Sequence, residues 1–218
     1  MRIRIVFEKK QEMRYTGHLD LQRAWERTLR RAQLPLAYSK GYNPRPRINL
    51  ASPLPLGFTG EREILDLWLE EQLAISEIKT RISNSLPPGL AINRVGEADQ
   101  REPALQTQLE ASEYVITFLE PVDDLESQIN RLLNSSSIQR IRRGKSYDLR
   151  PLILKLELIP NEEIQRQKIF TRLTAKAGAN GRPEEVASAL DVPPQNIRVH
   201  RVELIISGTQ LQQASNTW

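Results

Sequence analysis

The chain has 218 residues, of which 39% are hydrophobic and 27% charged, and its formal net charge at pH 7 is +4. This composition is close to the average for soluble globular proteins, and the length fits one large domain or two domains of about 100 residues. No apolar run approaches the roughly 18–20 residues of a membrane span, and the charged N-terminal segment does not resemble a signal peptide.

The absence of cysteine limits the chemistry that the chain can perform. With no Cys and only 2 His, the sequence offers no disulfide, thiolate zinc site, iron–sulfur cluster, thiol nucleophile or His-rich metal site. We therefore expect a cytoplasmic protein that binds no metal. Any metal or cluster chemistry is expected to belong to a partner.

Positive charge is concentrated at one end of the chain. The first fifty residues contain 12 Lys and Arg against 4 Asp and Glu, whereas residues 51–100 contain 4 against 8. The excess positive charge of the protein therefore lies almost entirely in its first fifty residues, where it could attract a polyanion.

The first half of the sequence predicts the order strand, helix, three strands, helix, strand. Ile3, Ile5 and Phe7 alternate with polar residues, which is typical of a half-buried strand. The next element is a helix that begins at about residues 16–20 and ends near residue 33. The remaining elements are predicted as strands at 36–39, 48–51 and 64–70, a helix at 74–86 and a strand at 90–95.

A polar stretch separates this half from a second one. We predict a basic N-terminal α+β domain at 1–98, a linker at 99–112, a C-terminal α+β domain at 113–207 and a flexible tail at 208–218. In the second domain the pattern predicts strands at 114–118, 138–143, 152–159, 170–175 and 197–206, with helices at 123–133 and 183–190. Pro183, followed by two glutamates, is typical of the first turn of a helix.

The two halves end alike, which favours an internal duplication. Residues 86–95 (LPPGLAINRV) and 192–202 (VPPQNIRVHRV) each place a Pro-Pro pair after a predicted helix and before a strand. Coincidence is the alternative, because proline commonly follows helices. We interpret the chain as an α+β protein with two related halves, each resembling a ferredoxin-like sandwich of helices on an antiparallel sheet.

The first predicted helix has one apolar and one basic side. Leu21, Trp25 and Leu29 fall on the same side at 100° per residue. The opposite side carries the arginines Arg23, Arg27, Arg30 and Arg31. This side is either an ordinary solvated surface or an anion-binding one. Guanidinium groups match the geometry of phosphate oxygens, so RNA is the expected polyanion if this side binds anions.

The segment 40–47 (KGYNPRPR) extends this basic surface. Its prolines stiffen an irregular loop and hold Arg45 and Arg47 two residues apart, with Lys40 and Tyr42 before them. Tyrosine rings can stack on unpaired bases, and Tyr38 could contribute in the same way. A purely structural loop is the alternative.

The turn at 15–20 (YTGHLD) is a second candidate for anion binding. Gly17 allows the backbone to turn just before the helix, so that free N–H groups could face an anion. His18 could add a donor or transfer a proton. In the alternative interpretation Thr16 caps the helix and His18 packs. We expect five residues to converge on one electropositive pocket at the N-terminus of this helix: His18, Asp20, Tyr42, Arg45 and Arg47.

A basic loop in the second half is a third candidate. Residues 142–151 (RRGKSYDLRP) place Lys145 and Arg150 before a predicted strand, where both could bind an anion. The alternative is a hairpin tip in which Asp148 pairs with Arg150. The sequence contains no Walker loop, dinucleotide fingerprint or nucleophile elbow.

Several of these segments form one long motif that resembles a known family. They are YTGHLDL at 15–21, WER at 25–27, LRRA at 29–32, LPLAYS at 34–39 and GYNPRPR at 41–47, and DLRP at 148–151 resembles a second motif. The chain is similar, over about residues 1–205, to the radical-SAM-linked protein family, a domain of unknown function. Its members are fused to, or encoded beside, radical S-adenosylmethionine (SAM) proteins with a cobalamin-binding-type region. The resemblance implies a stand-alone member whose partner carries the iron–sulfur cluster and S-adenosylmethionine.

Three functions are compatible with the sequence. The first is a non-catalytic module that binds RNA, or another phosphate-bearing substrate, and presents it to a separate radical SAM enzyme. The second is an RNA-modifying enzyme in its own right, comparable to pseudouridine synthases, with Asp20 and Asp148 as the only candidate catalytic residues. The third is a scaffold that binds only protein, with the arginine surface facing an acidic partner.

Overall fold

The computed structural model describes residues 1–142, 144–160 and 166–207. These residues form two compact units, one comprising residues 1–109 with 206–207 and the other residues 110–205. Within the described ranges, no helix is both long enough and apolar enough to cross a membrane. The chain is a mixed α+β protein whose strand pairing is largely antiparallel. The predicted tail at 208–218 lies outside the described residues.

The first unit has the element order strand, helix, strand, strand, helix, strand. Its elements are β1 (Arg2–Lys9), α1 (His18–Arg31), β2 (Ile48–Leu50), β3 (Thr59–Trp68), α2 (Ile75–Ser83) and β4 (Leu90–Ala98), followed by the short helix α3 (Leu105–Gln108). The strands pair antiparallel in the order β2, β3, β1, β4.

The core of this unit lies between the sheet and its two helices. Ile3, Ile5 and Phe7, the predicted apolar side of β1, are fully buried. Trp25 of α1 is equally buried, and its ring meets that of Phe7 edge-on at 4.9 Å between centroids. The alternation in β1 and the helical spacing in α1 therefore predict the two surfaces that pack together.

The other face of β1 is built around a buried carboxylate. Asp66 of β3 is fully buried and lies opposite Arg4 in the strand register. The Arg2 side chain approaches Asp66 Oδ2 to 2.6 Å, and Arg4 Nε donates to Oδ1 at 2.9 Å. Arg4 Nη2 also contacts Glu102 at 2.7 Å. Burial lowers the pKa of Arg4, but hydrogen bonds and the charges of Asp66 and Glu102 outweigh it, so the pKa is raised overall.

Arg2 also binds the chain that follows β4. Its guanidinium group donates to the backbone carbonyls of Asp99, Glu102 and Pro103 at 3.2, 2.6 and 3.0 Å. The predicted half-burial of β1 is therefore wrong at this residue, since Arg2 is only 1% exposed. Its charge is tolerated in the interior because every side of the group has an acceptor.

The strand predicted at 36–39 does not form. Only isolated bridges occur within the described chain there, from Leu36 to Leu69 and from Tyr38 to Pro46. The Ser39 N–H donates to the Arg45 carbonyl at 2.8 Å, and the Arg47 N–H donates to the Ala37 carbonyl at 2.8 Å. These bonds close the segment 39–45 into a loop, which we call the basic loop. A regular strand ladder does not form here because Pro44 and Pro46 have no N–H to donate.

The second unit contains two α-helices and seven strands within the described residues. Its elements are β5 (Leu109–Phe118), α4 (Leu125–Asn134), β6 (Gln139–Arg142), β7 (Lys145–Asp148), β8 (Ile153–Ile159), β9 (Lys168–Lys176), β10 (Ala179–Asn180), α5 (Pro183–Ala189) and β11 (Ile197–Ile206). The strands are ordered β8, β9, β5, β11, with β10 also on β9, while β6 and β7 form a separate hairpin. Like the first unit, this one begins with strand and helix and ends with helix and strand. Within the predicted linker, the structure places α3 and the start of β5.

Asp66 provides the first stability test. Replacing Asp66 with Asn leaves the buried Arg2 and the partly buried Arg4 without their counter-charge. Removing one partner of a buried ion pair costs about 3–5 kcal/mol, so the free energy of unfolding should fall by that amount in urea titrations. The control is Glu157→Gln, which breaks the Lys155–Glu157 pair whose side chains are both 50% exposed. That change should cost about 0–1 kcal/mol. Equal losses in the two variants would contradict the proposed role of Asp66.

Candidate functional site

A cleft runs along the side of α1. Its volume is about 370 Å³. The lining residues are Leu19, Gln22, Arg23, Glu26, Arg30 and Arg45. Five of them belong to α1 and one, Arg45, comes from the basic loop. The cleft thus brings together three of the arginines that the sequence identifies as candidate anion ligands.

Helical spacing explains why the α1 residues share this cleft. Arg23, Glu26 and Arg30 are separated by three and four residues, so they lie on one side of the helix. Arg23 Nη1 is 3.2 Å from Asp20 Oδ1, and Arg30 Nη2 is 4.0 Å from Glu26 Oε2. With Asp20 counted beside the lining residues, three guanidinium groups face two carboxylates, so the cleft keeps an excess of one positive charge.

The basic loop fixes the position of Arg45. The Arg45 backbone N–H donates to the Ser39 hydroxyl at 3.1 Å, in addition to the bond from the Ser39 N–H to the Arg45 carbonyl. The loop tip between them is exposed, including Lys40 and the whole side chain of Tyr42, which is 100% exposed. Tyr38 at the base of the loop is 42% exposed. Tyrosine rings are therefore available close to Arg45 along the chain.

Arg45 and Arg47 have different neighbours. Arg45 lines the cleft, whereas the Arg47 guanidinium lies over the ring of Trp68 at 4.8 Å. Both side chains are exposed, and Pro46 between them is buried. Asp66 pairs with neither of them, because its carboxylate binds Arg2 and Arg4 in the interior.

His18 and Asp20, the residues of the turn that we expected to bind an anion, do not line the α1 cleft. Gly17 has φ −74° and ψ 171°, an extended conformation that any residue can adopt, so its special freedom is not used. His18 is the first, half-buried residue of α1, and Asp20 faces solvent beside Arg23. Of the five residues expected to converge, Arg45 is the one that lines the described cleft. The cleft extends along the helix, since its lining runs from Leu19 to Arg30 of α1 and is completed by Arg45.

The two remaining arginines of α1, Arg27 and Arg31, differ in their hydrogen-bond partners. Arg27 is exposed. Arg31 donates to the Ser85 carbonyl, just beyond the end of α2, at 2.9 Å. In return, Arg81 of α2 donates to the Gln33 carbonyl, just beyond the end of α1, at 3.1 Å. Arg31 therefore takes part in a reciprocal clasp between the C-terminal ends of the two helices.

The candidates of the second unit serve mainly local structure. Arg150 donates through Nε and Nη2 to the Leu133 carbonyl at 3.1 and 2.9 Å, near the C-terminus of α4, where cations are favoured. Lys145 is exposed at the hairpin tip beside Gly144. The Asp148 carboxylate accepts the backbone N–H groups of Ile138 and Arg150 at 2.8 and 2.9 Å. Asp148 does contact Arg150, but through the backbone.

Three of the lining residues, Leu19, Gln22 and Glu26, are not among the site residues predicted from the sequence. Gln22 and Leu19 contribute an amide and an exposed apolar side chain to the cleft, and Leu19 is 67% exposed. Leu19 and Gln22 lie four residues before Arg23 and Glu26, respectively, so the helical spacing alone could have placed them on the same side of α1. No group of three or more His, Cys, Asp or Glu within the described ranges is arranged to hold a metal ion.

Comparison with known proteins identifies the family. The family model described as "Uncharacterized protein conserved in bacteria (DUF2344)" matches residues 2–183. The chain belongs to this family. The DUF2344 match includes α1, the basic loop and the β6–β7 hairpin. A search of the curated proteins finds no match.

Solved structures that are similar to this DUF2344 chain include the following three. A Cbf5–Nop10–Gar1 complex is matched at 12% identity and a TM-score of 0.48, over 93% of this chain and 48% of that chain. An H/ACA RNP bound to a substrate RNA containing 2′-deoxyuridine is matched at 12% identity and a TM-score of 0.46, over 93% and 47%. An archaeal box H/ACA sRNP Nop10–Cbf5 complex is matched at 10% identity and a TM-score of 0.43, over 93% and 47%. The chain spans about half the length of the chains it matches.

The Asp148 contacts predict a pH-dependent contribution to stability. The backbone N–H groups of Ile138 and Arg150 lower the pKa of Asp148 below its usual value of 3.8. A carboxylate with a lowered pKa in the folded state stabilises the fold above its unfolded pKa, and this contribution disappears as the pH falls through the folded value. Asp148→Asn should therefore lower the urea midpoint at pH 7, and the difference from the wild type should shrink below about pH 4.

The control for this measurement is Asp123→Asn at an exposed position. Its urea midpoint should follow that of the wild type across the same pH range. A loss in Asp148→Asn that does not change between pH 7 and pH 3 would contradict the assignment to the charged carboxylate.

Proposed function

We propose that this protein is a non-catalytic module that binds single-stranded RNA at the α1 cleft and presents it to a separate radical SAM enzyme. The observation that carries the proposal is the meeting of Arg23, Arg30 and Arg45, from two separate chain segments, in one cleft. Arginine forks match phosphate oxygens in pairs, so three of them in one cleft favour a phosphate-bearing ligand.

Exposed rings and cations beside the cleft favour an unpaired strand. Tyr42 is fully exposed on the basic loop, and Tyr38 is 42% exposed at its base. Proteins that bind single strands combine a cationic groove with aromatic side chains on which bases stack. In this proposal Lys40, Arg27 and Arg47 supply further positive charge around the cleft, while Tyr42 and Tyr38 stack on bases. His18, Arg31, Lys145 and Arg150 are secondary candidates.

The radical SAM partner is the part of the proposal that comes from the family resemblance. This chain has no Cys to hold a cluster, so the iron–sulfur cluster and S-adenosylmethionine would belong to the partner. A tagged pull-down, analysed for protein and RNA before and after nuclease treatment, tests this part. Recovery of a radical SAM protein is expected. Recovery that persists after nuclease treatment would indicate a direct protein contact, and its absence in both samples would contradict the partnership.

RNA binding at the cleft gives a salt-dependence prediction. Fluorescence anisotropy with a labelled single-stranded RNA should give affinities that fall with salt at a slope of about −2 or steeper in the double-logarithmic plot, since each neutralised phosphate contributes about −0.7 for single strands and the three cleft arginines set the minimum. Arg45→Gln should weaken binding several-fold and reduce the slope by about 0.7. Arg45→Lys should keep the slope and still weaken binding, because it retains the charge and loses the fork.

The matched control is Arg198→Gln, which removes an exposed arginine from β11, outside the cleft. Its affinity and salt slope should equal those of the wild type. An equal loss for Arg198→Gln and Arg45→Gln would show that binding follows net charge alone, and a salt-independent affinity would contradict the phosphate contacts.

We propose no catalytic role for Asp20 or Asp148. Asp20 is exposed and pairs with Arg23, and the Asp148 carboxylate accepts two backbone N–H groups at a turn. The purified chain should therefore leave RNA chemically unchanged. Modification of RNA by the chain alone that is abolished by Asp20→Asn or Asp148→Asn would favour the enzyme instead.

We also infer that the two units arose by duplication of a ferredoxin-like unit, with domains at 1–98 and 113–207. The order β2, β3, β1, β4 in the first unit has the counterpart β8, β9, β5, β11 in the second, and both units share their first and last strand–helix pairs. In this proposal β1 and β5 are equivalent strands. Superposing the units on these four strands tests it, and failure to bring α1 onto α4 and α2 onto α5 would contradict it.

A further inference from the structure

The cleft contains one carboxylate among its guanidinium groups. Glu26 lies between Arg23 and Arg30 on α1, and its side chain is only 15% exposed. The distance from Arg30 Nη2 to Glu26 Oε2 is 4.0 Å. A charge-assisted hydrogen bond between nitrogen and oxygen is about 2.7–2.9 Å long, so this pair is in electrostatic contact without a hydrogen bond. The carboxylate can thus still accept a hydrogen bond from a ligand.

A carboxylate is an unfavourable neighbour for a phosphate. The carboxylate repels the phosphate charge that Arg23, Arg30 and Arg45 attract. While it is ionised it accepts hydrogen bonds but has no proton to donate to a phosphate oxygen. Its position in the cleft is therefore favourable for ligands that carry a hydrogen-bond donor beside the phosphate. The same position penalises ligands that carry a phosphate alone, which is how a repulsive group creates specificity.

In RNA the donor nearest to each phosphate is the ribose 2′-hydroxyl, which DNA lacks. Base amino groups also donate, but they occur in RNA and DNA alike and lie farther from the phosphate. The 2′-hydroxyl is the group by which proteins distinguish the two nucleic acids at a given site. A sugar–phosphate chain bound along the helix side of the cleft would leave its bases toward the basic loop, which carries Tyr42 as well as Arg45.

We propose that Glu26 accepts a hydrogen bond from a ribose 2′-hydroxyl whose phosphate is bound by the cleft arginines, so that the cleft selects RNA over DNA. This inference rests on the proposed function, because it requires a nucleic acid in the cleft. Glu26 is a specificity residue here, and the arginines supply the affinity.

The test compares single-stranded RNA and DNA of one sequence made only of A and C, so that the 2′-hydroxyl is the sole chemical difference. The wild type should bind the RNA about tenfold tighter, as expected for a hydrogen bond to a charged acceptor. Glu26→Ala should bind the DNA several-fold tighter than the wild type does, because a repulsive charge is removed. Its RNA affinity should be unchanged or weaker, so the ratio of the two affinities should approach one.

Two further variants separate the role of the Glu26 carboxylate from a change of side-chain shape and from the loss of any helical ion pair. Glu26→Gln keeps the side-chain shape and a neutral acceptor, and its RNA-to-DNA ratio should fall between those of the wild type and Glu26→Ala. Glu77→Ala removes the acidic partner of another helical ion pair, Glu77–Arg81 on α2 at 2.6 Å, and should leave the ratio at its wild-type value.

The outcomes separate this inference from the proposed function. If the wild type binds neither nucleic acid, the proposed function is wrong. If it binds RNA and DNA equally, the cleft still binds nucleic acid but the role of Glu26 is wrong. An equal gain for both nucleic acids in Glu26→Ala would also overturn the inference, since Glu26 would then act only as a repulsive charge.

Discussion

The buried Asp66 carboxylate is the interaction on which the first unit depends. It neutralises Arg2 and Arg4 on β1, and Arg2 in turn binds three carbonyls of the chain after β4. One carboxylate thus joins the two central strands of the sheet to the segment that leaves it. The opposite face of the same strands supports α1 through Phe7 and Trp25, so the position of the cleft follows from how these strands are held together.

Two groups among the arginines differ in what their guanidinium groups contact. Arg2, Arg31 and Arg150 donate to backbone carbonyls, and those bonds belong to the fold. Arg30 and Arg45 line the cleft and keep donors directed to solvent or to a ligand. The number of arginines in the sequence is therefore larger than the number available to bind a ligand, because some of them bind backbone carbonyls after β4 and near helix C-termini.

The sequence predicts this fold best where the hydrophobic period is regular. The alternation of Ile3 and Ile5 and the helical spacing of α1 lead directly to the buried surfaces that the structure contains. The strand predicted at 36–39 is wrong, because Leu36 and Tyr38 form only isolated bridges, to Leu69 and Pro46, and no ladder. The bond from Arg150 to the Leu133 carbonyl likewise depends on tertiary placement, which no local pattern encodes.

The reciprocal clasp between α1 and α2 has a consequence for association. Arg31 reaches the Ser85 carbonyl while Arg81 reaches the Gln33 carbonyl, so each helix fixes the end of the other. The backbone that carries Arg23 and Arg30 is thereby preorganised before any ligand arrives. Binding then needs to order only side-chain rotamers, at about 0.5–1.5 kcal/mol each, and leaves the configurational entropy of the main chain almost untouched.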